Sequence, residues 1–222
     1  MWEKCWDAIF QQSDWGKYPP EELVRFISQQ YGKRVPRGTV KMLEVGSGTG
    51  ANLWYLAREG FDVTGIDGSS IGVDKSLKRL KAERLRAKVE VGDVVAMPFE
   101  DGSFDCVVDN VCICTNSYKD SQKILKEIHR VLAPGGKLFS KTLMTGTSGD
   151  GNGEKLKGED NTYVEIYEGV SEKRKGLIRF MDEKEIPDLY RDFTIESIDY
   201  SIRSTSNRKH VLKEWVIVCV KK

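Results

Sequence analysis

Glycines at positions 46, 48 and 50 fall within one short turn, Gly46-Ser47-Gly48-Thr49-Gly50, between a strand-like run and a helix-like one. Before the turn, Val40 to Val45 is mostly apolar. After it, Ala51 to Glu59 carries Leu53, Trp54, Leu56 and Ala57 at helical spacing. Such a turn lets a ligand come close to the backbone where side chains would stand in the way. The same alternation then repeats. Asp62 to Asp67 reads as a second strand, Ser70 to Arg84 as a charged amphipathic helix, Lys88 to Val91 as a third strand and Phe104 to Asp109 as a fourth. A helix over Asp120 to Leu132 ends at Ala133-Pro134-Gly135-Gly136, before a strand from Lys137 to Met144. Successive βαβ units around a parallel sheet follow, with right-handed crossovers. The alternation does not specify the order of the strands.

The flanks differ from this middle. Trp2, Trp6 and Trp15 precede the first strand, followed by Tyr18-Pro19-Pro20 and a helix over Glu21 to Gln30 whose start is marked by the prolines and acids. Residues 145–161 are polar and glycine-rich, which predicts a mobile loop. The tail reads as a helix from Asp182 to Arg191 and two strands, Phe193 to Ile202 and Glu214 to Val220, able to pair as a C-terminal antiparallel hairpin. The 222 residues suit one domain: an N-terminal cap or lid (1–36), a ligand-binding core (37–144), then a substrate loop with the last strands (145–222).

Composition removes several classes of function. Apolar residues at 39% and charged residues at 31% are globular values, and no apolar run approaches the roughly 20 residues of a membrane helix. The chain is expected to be soluble, with no membrane partner. Its first residues, Met1-Trp2-Glu3-Lys4-Cys5, lack the pattern of a secretory signal, so a cytoplasmic location is expected. Cysteines at 5, 106, 112, 114 and 219 are odd in number and scattered, as fits reduced thiols. Two distant histidines and no C-x-x-C pair offer no metal site. A net charge of +1, well mixed, leaves no basic footprint for nucleic acid and favours a small-molecule partner.

Asp67 closes the second strand 17 positions after Gly50, where a doubly wound fold places the carboxylate that accepts from ribose hydroxyls. Together with the glycine turn it favours an adenosine ligand. A dinucleotide loop reads G-x-G-x-x-G and faces a pyrophosphate, whereas here the third glycine comes one residue early and Glu44 stands before the loop. That carboxylate repels pyrophosphate and suits a cationic ammonium. The absence of a Gly-Lys-Ser/Thr ending argues against a nucleoside triphosphate loop.

Four motifs in order, LEVGSGTG at 43–50, VTGIDGS at 63–69, VGDVVAMPFEDGSFDCVVD at 91–109 and EIHRVLAPGGKL at 127–138, resemble those of the class I S-adenosylmethionine (SAM)-dependent methyltransferases, small-molecule type. The resemblance implies an α/β Rossmann-like three-layer sandwich with a mostly parallel seven-stranded sheet. It implies SAM as cofactor, S-adenosylhomocysteine as product, and methyl transfer to oxygen, nitrogen or carbon of a small acceptor. By position it implies that Glu44, Gly46 and Gly48 frame the methionine portion and Asp67 the ribose, that Asp93 and Val94 hold the adenine, and that Asn110 lies beside the methionyl group. Ser47, Gly50, Asn52, Gly68 and Ser69 complete the implied cofactor set.

The catalytic residue stays open. Reactive groups in open α/β sheets gather at strand carboxyl ends, which selects the segment Asp109 to Tyr118, with Asp109, Cys114 and Tyr118 as candidates. Cys112 and Cys114 also read as small buried residues, and Tyr118 as pocket wall or surface. Related small-molecule enzymes often place histidine near Cys114, so a base of that kind is in doubt. His129 falls on a helix surface and His210 in a polar loop. Trp15 and Tyr18 are either parts of a lid over the sulfonium or pieces of the core. The motif Asp/Asn-Pro-Pro-aromatic, carried by many amino-methylating enzymes of DNA bases and glutamine, is absent after the fourth strand. Alternatives remain: a cofactor-binding regulator or partner subunit without turnover, a protein or RNA methyltransferase, an aminopropyltransferase, and a nicotinamide dehydrogenase. A monomer or homodimer is expected.

Overall fold

The computed structural model describes residues 5–12, 16–32, 36–169 and 174–222. Helices α1 (Cys5–Gln12) and α2 (Glu21–Gln30) precede a run of strands β1 (Lys41–Val45), β2 (Asp62–Asp67), β3 (Lys88–Val91), β4 (Phe104–Asn110) and β5 (Leu132–Leu143). Between them lie α3 (Ala51–Arg58), α4 (Ser70–Ala82) and α5 (Tyr118–Val131). Four short strands follow, β6 (Ser148–Gly151), β7 (Gly153–Lys155), β8 (Thr162–Ile166) and β9 (Arg174–Arg179), then α6 (Ile186–Leu189), β10 (Thr194–Thr205) and β11 (His210–Val220).

The main sheet has seven strands in the order β10-β11-β5-β4-β1-β2-β3. Pairing is parallel from β5 through β3, and β11 runs antiparallel to both β5 and β10. The central strands are apolar nearly throughout because helices cover both faces. Side-chain alternation divides them between two cores. Leu43, Val45, Val107, Leu138 and Ile217 face Ile124, Leu125 and Ile128 of α5 and Ile186 of α6. Met42, Val63, Cys106, Val108 and Phe139 face Leu23, Phe26 and Ile27 of α2, with Leu53 and Leu56 of α3. This is a three-layer α/β sandwich with an antiparallel hairpin at its end.

An ion triad, buried at Lys141 and Glu214 and partly exposed at Glu22, ties the first layer to the sheet. Lys141 of β5, 5% exposed, places Nζ 3.2 Å from Glu22 of α2 and 3.0 Å from Glu214 of β11. Removing one partner of a buried pair leaves an uncompensated charge, at a cost of about 3–5 kcal/mol.

Three segments differ from the sequence reading. The polar stretch 145–161 is no plain loop: it carries β6 and β7, and β7 joins β8 and β9 in a separate antiparallel sheet. Its strands are short and outwardly polar, and the few apolar residues that pin them (Tyr163, Ile166, Ile178 and Phe180) pack with Leu143 and Leu212 in a third small core. The helix expected over Asp182 to Arg191 contracts to a 3-10 turn, Glu183–Glu185, and one turn of α6. Asp182 caps the first turn by accepting from the Lys184 N–H, while buried Tyr190 and Phe193 pull the chain back to the sheet. β5 starts at Leu132 because that residue pairs with Phe104, so Ala133-Pro134-Gly135-Gly136 becomes an irregularity within the strand.

Candidate functional site

The carboxyl ends of β1, β2, β3 and β4 open into one cleft, with about 1030 Å³ of space including its mouth. At the end of β1 the chain turns through Gly46 at φ 65° and Gly48 at φ 50°. A Cβ at Gly46 would lie 2.5 Å from the Cys112 Sγ, and one at Gly48 would lie 3.2 Å from the Phe10 ring. Only glycine gives this turn both its left-handed backbone and its close approach to its neighbours. The turn is locked to β2, since Asp67 Oδ2 accepts from the Gly48 N–H at 2.7 Å and Oδ1 from the Ser69 N–H at 2.8 Å. Burial raises the Asp67 pKa, and those two backbone bonds work against the rise.

Beneath the turn, Glu44 Oε1 accepts from the Asn52 side-chain amide at 2.8 Å. Glu44 Oε2, Asn52 Oδ1 and Ser47 Oγ are buried and have no hydrogen-bond partner among the described residues. All three side chains line the cleft. Burial lifts the Glu44 pKa to about 8, with the Asn52 bond opposing and the charges of Asp67 and Asp109 adding to the rise. Unmet acceptors around a buried carboxyl call for a cationic hydrogen-bond donor. The ammonium of a methionine moiety meets that description, and the Asp67 carboxylate, held by two N–H groups, suits a diol.

Gly68, Asp93, Val94 and Asn110 also line the cleft. Asp93 Oδ1 accepts from the Val95 N–H at 3.1 Å, which holds its side chain at the end of β3. Gly50 and Ser69 lie behind the cleft instead. Gly50 begins α3 at φ 82°, with Ser76 so close that a Cβ would collide with its hydroxyl. Ser69 caps α4 by accepting from the Gly72 N–H at 3.1 Å.

The wall after β4 consists of Val111, Cys112, Thr115 and Asn116. Val111 has φ 66°, a left-handed backbone on a β-branched residue. The Asn116 amide donates to the Cys112 carbonyl at 2.9 Å, and burial raises the Cys112 thiol pKa well above its ordinary value. Of the three catalytic candidates, none lines the cleft. Asp109 is fully buried and accepts from the Cys112 N–H, the Ile113 N–H and the Ser140 hydroxyl, so it builds the turn behind the wall. Burial raises its pKa to about 6 against those three bonds. Cys114 is buried in the third core and reaches the Val111 carbonyl, with its pKa pushed to about 11 by burial. Tyr118 opens α5, donates to Asp188 and lies under the Arg179 guanidinium, 5.4 Å from ring centroid to Cζ.

The amino-terminal arm roofs the cleft. Trp6 and Phe10 of α1 line it, with Gly16 and Tyr18 at the mouth. Asp7 accepts from the Ser69 hydroxyl, which joins α1 to the start of α4. Tyr18 is 66% exposed and meets Trp54 edge-on at 5.8 Å. Trp15 lies outside the described residues. Phe10 had no place in the sequence reading, although Trp6 and Phe10 stand four residues apart, the spacing of one helix face.

Comparison with known proteins agrees with this geometry. Residues 43–140 match the family model described as a methyltransferase domain. The chain is 36% identical over 115 residues to phosphoethanolamine N-methyltransferase 2 of Caenorhabditis elegans, covering 51% of this chain and 25% of that protein. It is 30% identical over 164 residues to the chloroplastic tocopherol O-methyltransferase of Arabidopsis thaliana, covering 64% and 45%. The chain therefore spans less than half the length of either relative. The Burkholderia thailandensis 1,6-didemethyltoxoflavin-N1-methyltransferase, solved with S-adenosylhomocysteine bound, superposes with TM-score 0.65 at 19% identity, covering 91% of this chain and 77% of that one. The sheet order and the unmet acceptors at the glycine turn agree with that match of residues 43–140 to a methyltransferase domain.

Proposed function

We propose that this protein transfers the methyl group of SAM to a small-molecule acceptor in the cytoplasm. SAM supplies a methyl group on a sulfonium centre, from which a neutral sulfide leaves in an in-line displacement. Glu44 would hold the ammonium, with Asn52 and Ser47 completing its hydrogen bonds. Asp67 would hold the ribose hydroxyls, Asp93 and Val94 the adenine, and Asn110 would lie beside the methionyl group. The observation that carries this reading is the buried Glu44 Oε2, which has no hydrogen-bond partner among the described residues and faces a cleft bounded by the glycine turn.

The acceptor would sit against Val111, Cys112, Thr115 and Asn116. Those side chains offer apolar contact, a hydroxyl, an amide and a thiol held protonated, a set that suits positioning more than proton removal. Positioning alone supplies up to roughly 7–11 kcal/mol in favourable reactions. The relatives named above act on nitrogen in one case and oxygen in another, so the proposal covers either atom, and carbon as well. Trp6, Phe10 and Tyr18 would exclude water from the sulfonium, with cation–π attraction of about 0.5–2 kcal/mol.

Purified protein incubated with isotope-labelled SAM and a cell metabolite extract is expected to label a small product detected by mass spectrometry. Asp67→Ala should weaken S-adenosylhomocysteine binding by about tenfold to a hundredfold, the loss of two charge-assisted bonds, and reduce labelling with it. Label found only in protein or RNA would overturn the small acceptor. Tight S-adenosylhomocysteine binding with no label in any fraction would make the chain a cofactor-binding regulator.

A further inference from the structure

β10 is one edge of the main sheet, and its outer side meets no other strand among the described residues. Long edge strands are templates for pairing, which proteins usually blunt with short length or charge. The opposite edge, β3, spans only Lys88–Val91. β10 spans Thr194–Thr205 and exposes an apolar row on the α5 face: Ile198 at 41%, Tyr200 at 62% and Ile202 at 54%. The other face of the strand carries Ser197, Asp199, Ser201 and Arg203. Asp199 is exposed and forms no hydrogen bond or ion pair among the described residues. Arg203 is 64% exposed, with Nε only within 4.0 Å of Glu214.

We propose that β10 pairs antiparallel with β10 of a second copy of this chain, across a two-fold axis at Ser201. Three observations select that partner and that register. An axis on a residue keeps the apolar row of both copies on one face, whereas an axis between residues sets apolar against polar positions. An axis at Ser201 brings Asp199 opposite Arg203 of the second copy, twice by symmetry, and Tyr200 opposite Ile202, also twice. An axis at Tyr200 instead sets Asp199 opposite a serine, and one at Asp199 sets two like charges together, which is unfavourable. Finally, the regular part of β10 runs from Ser197, after the register shift beside Ile195, to Thr205 at the hairpin turn. Its midpoint is Ser201, so every residue of that segment finds a partner. The result is an isologous interface that continues the sheet from one copy into the next and removes both edges.

Light scattering coupled to size exclusion should report a dimer for the full chain. Asp199→Arg and Arg203→Asp should each shift it to monomer, and the double variant D199R/R203D should return it to dimer, because the swapped charges pair again. S-adenosylhomocysteine binding, measured on each variant, establishes that the fold is kept. Directly opposed residues in an antiparallel pair have Cα atoms about 4.5–5.5 Å apart, within the range a disulfide spans. Ser201→Cys should therefore cross-link to itself on mild oxidation, above the background of the native cysteines. A monomer at every concentration, a dimer indifferent to both charge reversals, or cross-linking through Tyr200→Cys in place of Ser201→Cys would each overturn the proposal.

Discussion

The two halves of the cleft stand at neighbouring strand ends and are built by opposite means. After β1 the left-handed backbone is taken by Gly46 and Gly48, for which it carries no side-chain penalty. After β4 it is taken by Val111, for which a left-handed backbone costs on the order of 1–2 kcal/mol. What holds Val111 there is tertiary: its N–H donates to the Lys141 carbonyl at 2.8 Å, its side chain packs on the third core, and Asp109 ties down the next two N–H groups. One conformation is specified by residue type, the other by its surroundings. On the proposed reading, the half that would hold the cofactor is fixed by residue type, and the half that would face the acceptor takes a conformation that the rest of the fold imposes.

The severest way to break this contrast is Gly48→Val. It combines a disfavoured backbone with a new side chain against Phe10, and S-adenosylhomocysteine affinity should fall at least about a hundredfold, roughly 2.7 kcal/mol. Calorimetry finding the parent affinity would mean that the glycine is only a turn residue. A moderate effect is expected from pH. Glu44 has its pKa raised from 4.5 to about 8 by burial, so without ligand its carboxyl is largely protonated at neutral pH. A cationic ligand favours the carboxylate. Affinity should thus decline as pH falls below about 8, by at most about tenfold per unit, with a proton released on binding. The stability of the unliganded protein has the opposite slope. The folded value lies above the ordinary one, so the Glu44 contribution is fully present below 4.5 and is lost as pH rises through about 8. Glu44→Gln should flatten both slopes, and equal slopes in parent and variant would remove Glu44 from ligand binding.

The smallest effect sharpens the other half. Val111→Gly relieves strain while giving up packing, so stability should change by no more than about 1 kcal/mol. S-adenosylhomocysteine affinity should stay within about threefold, whereas the KM for the acceptor, once known, should move further. A larger loss of cofactor affinity would show that the two halves are not separable.

The same contrast explains what could be read from the chain. βαβ alternation is a local pattern, so β1 to β5 and α3 to α5 could be placed within a few residues from apolar spacing alone. Glu44, Gly46, Gly48, Asp67 and Asp93 stand at or just past strand ends for reasons that act within a few residues, and they line one cleft. The second sheet was hidden because its core draws on Leu143 and Leu212, far from β8 in sequence, and its own strands show little apolar alternation. The segment Asp109 to Tyr118 is selected by its position after β4, yet which of its side chains face the cleft depends on the left-handed turn at Val111. Nothing local announces that turn, because valine is among the residues least suited to it.

The triad of Glu22, Lys141 and Glu214 joins residues from near both ends of the chain and from its middle. During synthesis these do not appear together. At about 5–20 residues per second, Glu214 emerges roughly 10–40 s after Glu22. For roughly the last 4–15 s of that interval, after Lys141 has emerged, α2 can meet the lysine but cannot complete the charge balance that lets it be buried. Full docking of α2 on the sheet thus waits until β11 is threaded beside β5, which makes it a late event in the life of a nascent chain.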